Sequence, residues 1–132
     1  MKTLLQINTV VNRGSTGRIA EEIGVLAIDA GWDSYIAYGR QKAYSNSKLI
    51  RIGNIVDCYH HVLKTRLFDG HGLGSKKATM YLIEQIKRIS PDIIHLHNIH
   101  GYYLNYPILF DYLSTTDIPI VWTLHDCWSF TG

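Results

Sequence analysis

At 132 residues the chain has the length of one ordinary domain, enough to bury a hydrophobic core. Its composition, 46% hydrophobic and 18% charged, suits a soluble α/β protein and excludes a low-complexity chain. The formal net charge is +2, and the basic residues are scattered, with Lys76-Lys77 and Lys87-Arg88 the only adjacent pairs. That excludes the clustered basic face of a nucleic-acid binder and leaves room for no more than shallow peripheral contact with an anionic membrane surface.

The two cysteines, Cys58 and Cys127, are too few and too far apart for a disulfide framework and read as reduced thiols. The opening Met1–Leu5 imitates a signal peptide, but Gln6 and Asn8 interrupt the apolar run before it reaches that length. No apolar stretch approaches the roughly 20 residues needed to span a bilayer. These features point to a cytoplasmic protein, with the inner face of the membrane as a place it could visit.

Along the chain, short apolar runs alternate with stretches of helical periodicity, the signature of parallel βαβ construction. Residues 3–8 read as a buried and central strand. The turn Asn12-Arg13-Gly14-Ser15-Thr16-Gly17 follows, and then a helix whose expected apolar face is Ile19, Ile23, Leu26, Ala27 and Ala30, with Gly31 as its C-terminal stop. Ser34–Tyr38 is a second strand closed by Gly39, and Leu49–Ile52 a short third one. Val56, Tyr59, Leu63 and Leu67 line one helical face, and Gly70-His71-Gly72-Leu73-Gly74 is loop.

Ser75 can cap the next helix, which carries Leu82, Ile83, Ile86 and Ile89 on one face and Lys87 and Arg88 in its last turn. Pro91 lies just beyond. Asp92–His97 is a strand buried on both faces, a helix spans 106–114, and Ile118–Leu124 is a further strand. The fold class is therefore α/β, a Rossmann-like doubly wound parallel sheet with flanking helices. Such a domain ordinarily continues with another helix and strand after His125-Asp126, so residues 1–132 read as a domain incomplete at its C-terminal end.

Open parallel sheets bind ligands beyond the carboxyl ends of their strands, near the switch point. Three groups fall there. The turn from Gly14 to Gly17 can expose backbone N–H groups at a helix N-terminus, which suits a phosphate or equally a ligand-free tight turn. His95 and His97 are two residues apart and share one face of a strand, His97 being the nearer to its end, and Asn98 follows. His125-Asp126 ends an apolar strand and faces the crevice. Trp122, Trp128 and Phe130 read as core.

Two other chemistries are open to these residues. His-x-His at a strand end is also found in metal-dependent hydrolases, but these histidines belong to separate strand ends, so no metal is expected. A dinucleotide dehydrogenase fits poorly, because the turn offers Gly-x-x-Gly and the second strand ends in Gly39-Arg40 with no acidic ribose partner. Arg40 keeps a minor place for a 2′-phosphate. A non-catalytic Rossmann-like module that holds a glycan or protein remains the main alternative to an enzyme.

Gly14-Ser15-Thr16-Gly17-Arg18, Pro91-Asp92-Ile93-Ile94-His95-Leu96-His97-Asn98 and Val121-Trp122-Thr123-Leu124-His125-Asp126 together resemble the N-terminal half of retaining GT-B glycosyltransferases. The bacterial subset of colanic acid and capsular polysaccharide enzymes is the nearest, on residues 70–79 and 122–132. The resemblance spans essentially the whole chain. It implies sugar transfer from a nucleotide-diphosphate donor to an acceptor glycan or lipid-linked saccharide, with retention of configuration and with no cofactor beyond the donor substrate. It implies that the acceptor-side domain is present and the nucleotide-binding domain absent, so that this chain alone is inactive and, with unmet apolar surface, associates with itself.

By motif match, the resemblance makes His125 the catalytic residue. It assigns Gly14, Ser15, Thr16, Gly17, Arg18, His97, Asn98 and Asp126 to the donor diphosphate and acceptor.

Overall fold

A computed structural model describes residues 1–53, 76–99 and 103–126. The face at Val56–Leu67, the Gly70–Gly74 loop, Ser75, His100, both cysteines, Trp128 and Phe130 lie outside these residues. In chain order the elements are β1 (Thr3–Val11), α1 (Gly14–Asp29), β2 (Asp33–Lys42), β3 (Lys48–Arg51), α2 (Lys76–Ile89), β4 (Ile93–Leu96), α3 (Tyr106–Leu113) and β5 (Ile120–Trp122). Among the described residues, five strands pair in parallel, in the order β3-β2-β1-β4-β5. The strand at 3–8 is central, as expected, and the order reverses beside it, so the switch point falls between β1 and β4.

Alternation along the strands sorts the side chains onto two faces. Leu5, Ile7, Ala37, Ile94 and Leu96 join Leu82, Ile83 and Ile86 of α2 and Leu109 and Leu113 of α3 in the main core. Each leucine or isoleucine among them, fully buried, contributes about 1.5–3 kcal/mol. The opposite face carries Gln6, Ser34 and Ile36 over β1 and β2, and α1 lies on it. A polar residue buried at the centre of that face, Gln6, bonds to the Ala20 carbonyl of α1 at 2.8 Å.

The helix α1 departs from its expected face. Gly17, Ala20, Glu21 and Gly24 are its buried residues, whereas Ile19 is 39% and Leu26 67% exposed. Small residues win because the helix rides close to the sheet. A Cβ at Gly24 would stand 2.5 Å from Ser47 Oγ and 3.0 Å from Ser34 Oγ. Glu21 is held by the Ser45 hydroxyl and by the Asn46 backbone N–H at 2.9 Å, which fixes the loop from β2 to β3. The C-terminus is as read. Gly31 takes φ +86, its N–H reaches the Ile28 carbonyl, and the Trp32 N–H reaches Ala27, a Schellman stop.

Several strand limits differ. β1 and β2 run on to Val11 and Lys42, so Gly39 lies inside β2 and does not close it. Gly39 and Arg40 together face only Thr9, a bulge between the Asn8–Tyr38 and Val10–Gln41 pairs. A side chain at Gly39 would run into the ring of Tyr103, which packs there and donates its hydroxyl proton to the Asn98 carbonyl. β4 is shorter than expected, and His97 and Asn98 leave it for the loop. In α3 the Asn105 side chain caps the first turn at the Ile108 N–H, and Pro107 suits the same turn.

Candidate functional site

The carboxyl edge of the sheet around the switch point collects the residues singled out in the sequence. After β1 the chain turns through Asn12, at φ +49, and Gly14, at φ +64, into α1. Arg13, the N-cap, is extended and makes no side-chain cap bond, so the first-turn amides of α1 take no partner from it. The turn is tethered from outside, by the Asn12 amide to the Tyr44 carbonyl at 2.8 Å and by Arg13 to Gln41 at 3.2 Å. Gly17 is buried because a Cβ there would press on Asn12 N and Val10 Cγ2, both at 3.1 Å. Ser15 and Arg18 are exposed and Thr16 is partly so.

On the same face, His95 of β4 meets His97 just beyond that strand and Thr123 and His125 just beyond β5. His97 is 2% exposed. Its backbone is pinned on both sides, with N–H to the Ile7 carbonyl and C=O accepting from Trp122 Nε1, each at 3.0 Å. Its Nε2 meets Gln6 Oε1 at 2.8 Å and its Nδ1 meets His125 Nε2 at 2.9 Å. The His97 and His125 ring centres are 5.2 Å apart with planes 21° apart. That separation is about the N···N distance plus two ring radii, so the rings lie edge to edge, sharing an in-plane bond. His95 stacks on His97 with centres 4.1 Å apart and takes Thr123 Oγ1 at 2.7 Å.

Burial, reinforced by the neighbouring imidazoles His95 and His125, holds His97 down to about 3, so it is neutral at physiological pH. Burial and His125 lower His95 in the same direction. The structure thus brings together His95, His97 and His125. Asp126, beside them in sequence, is exposed. At Asn98 the main chain is engaged, with N–H to Asn8 Oδ1 at 3.3 Å and C=O accepting from Tyr103 and Thr9. Trp122 packs against Phe110 at the margin of the main core.

Among the described residues, no three His, Cys, Asp or Glu side chains are arranged to hold a metal ion. The residue that the sequence reading passed over is Gln6. Its signal was present, because Gln6 and Asn8 are polar at alternate positions of an otherwise apolar central strand. Such residues share a face and need partners when buried.

The model of the family described as Glycosyltransferase Family 4 matches residues 18–132, most of the chain and all of the histidine cluster. The chain belongs to glycosyltransferase family 4. The chain is 26% identical, over 98% of its length, to WcaC of Escherichia coli (strain K12), named for colanic acid biosynthesis glycosyl transfer. The chain spans 34% of that relative. No solved structure matches it significantly. For a family 4 chain, the parallel sheet agrees with the N-terminal half of a GT-B fold. Among the described residues, no helix is long and apolar enough to cross a membrane.

Proposed function

We propose that this chain is the acceptor-side domain of a retaining GT-B glycosyltransferase that assembles a bacterial polysaccharide. The full enzyme transfers a sugar from a nucleotide-diphosphate donor to a hydroxyl of a glycan or lipid-linked saccharide. The observation that carries this reading is the placement of His125. It follows β5 at the carboxyl edge of the sheet, where open α/β folds bind ligands, and a buried, neutral His97 braces its ring. In the proposed site His125 bonds a hydroxyl of the transferred sugar as positive charge develops at the anomeric carbon. The first-turn amides of α1, at Gly14, Ser15, Thr16 and Gly17, approach the donor diphosphate, where the positive end of a helix favours an anion. Arg18, Asn98 and Asp126 complete the donor and acceptor surface.

A second domain supplies the nucleotide site, so activity belongs to the full-length enzyme. The test is a transfer assay on that enzyme with a panel of nucleotide-diphosphate sugars and saccharide acceptors, reading the anomer of the product by NMR. Transfer with retained configuration supports the proposal. Saturable glycan binding by the full-length protein with no transfer from any donor would show a binding module instead.

A further inference from the structure

The hydrogen bonds around His97 form one continuous chain from α1 to His125, and with a neutral His97 only one arrangement of protons fits it. The Ala20 carbonyl can only accept, so the Gln6 side chain must turn its amide nitrogen toward it, at 2.8 Å. The opposite orientation would set two carbonyl oxygens against each other. Gln6 Oε1 therefore faces His97 Nε2 at 2.8 Å, and that nitrogen must carry the proton. A neutral His97 then has a bare Nδ1, which accepts from His125 Nε2 at 2.9 Å. His125 is left with Nδ1 as the ring nitrogen not committed to His97.

We propose that Gln6 is a positioning residue for sugar transfer, fixing through His97 the tautomer and ring orientation that His125 offers to the substrate. The inference rests on the site reading given above for His125, but its first consequence concerns the proton positions alone. Gln6 is suited to the role by its burial, with no exposed surface, and by a strand position that holds its backbone between β2 and β4. Any acceptor at this point could hold the His97 proton. An amide does so without adding charge beside three imidazoles, and its own N–H₂ ties the chain to α1.

The tautomers are read directly from long-range ¹H–¹⁵N spectra of the 132-residue chain labelled at histidine, at pH 7.5. The expected result is a protonated Nε2 and a bare Nδ1 on His97, and a proton on Nε2 of His125. Gln6→Met removes the acceptor at similar length, and His97 and His125 then show averaged ring-nitrogen shifts. Gln6→Glu keeps an acceptor, so His97 keeps its proton on Nε2 and, beside a carboxylate, titrates at higher pH. A proton on His97 Nδ1 in the unaltered chain overturns the proposal without any variant having to fold, as do unchanged His125 shifts in a folded Gln6→Met chain.

In the full-length enzyme, Gln6→Met lowers kcat about tenfold with KM little changed, and an unaltered kcat overturns the positioning role. Should His125→Ala leave transfer intact, the site reading fails while the tautomer result stands, so the two failures are separable.

Discussion

His97 and His95 resist protonation in the folded chain, and this makes the fold sensitive to acid. An unfolded histidine titrates near 6.5, whereas folded His97 is held to about 3. Above 6.5 neither state gains a proton. Between 6.5 and 3 the unfolded state takes one that folded His97 refuses, so stability falls as pH falls. At pH 5 the loss from His97 alone is about 2 kcal/mol, and His95 acts in the same direction. Melting curves at pH 7.5 and pH 5 should show the drop, and His97→Gln should shrink the difference between them while lowering stability at pH 7.5. At His125 the expectation is functional. In the full-length enzyme His125→Ala should cut turnover a hundredfold or more, on the order of 3 kcal/mol in the transition state, far more than it lowers the melting temperature through the lost bond to His97. Near-normal turnover in a folded variant would reduce His125 to a strand-end residue. The histidine positions were legible because two on one strand and one after another must meet at one sheet edge. That a buried Gln6 would need a partner was legible too, but not that the partner is His97, which lies 91 residues away in sequence and is brought there only by the strand order.

The helix α1 shows how element-scale packing depends on what is missing from a side chain. Gly24 admits the helix between Ser34 and Ser47, whose hydroxyls share a 2.8 Å hydrogen bond. Gly24→Ala gains about 1 kcal/mol of helix propensity but drives a methyl group into both hydroxyls, an overpacking cost of about 1–3 kcal/mol. The expected net result is a lower melting temperature, partly restored by adding Ser47→Ala, which removes the nearest atom. A melting curve for the single and double variants checks both. Gly14 is the opposite case, with open space around it but φ +64. Gly14→Val should strain the turn and, in the full-length enzyme, raise KM for the donor more than it lowers turnover. The apolar periodicity of α1 pointed to Ile19 and Leu26 because a hydrophobicity pattern gives weight to large residues. Close packing against a sheet selects small ones, and glycine carries no weight in that pattern. Gly39 was misplaced for a related reason, since inside a strand it marks the bulge on which Tyr103 lies.

At the scale of the whole molecule, the described surface leaves Leu26 67%, Val121 44% and Leu124 50% exposed, with β5 at the sheet edge. An open edge strand with apolar neighbours invites pairing with another copy. Light scattering of the isolated chain should show mass rising with concentration, and Val121→Lys should suppress it. A monodisperse monomer at all concentrations would count against this. The alternation of strands and helices was enough to give the parallel order and the central place of β1, because right-handed crossovers leave few other solutions. Strand ends were less legible, since they depend on where a neighbour stops pairing. The position of β1 also bears on how the chain is made. Its partner on one side, β2, follows at once, but β4 is far away, with 89 positions separating Thr3 from Asp92. At about 5–20 residues per second, a ribosome needs on the order of ten seconds to bridge that gap. During that interval one side of β1 is unpaired, with Gln6 lacking the histidine that will donate to its Oε1. A nascent chain stalled before Ile93 should therefore bind chaperones through β1 and lose that binding once β4 has cleared the exit tunnel.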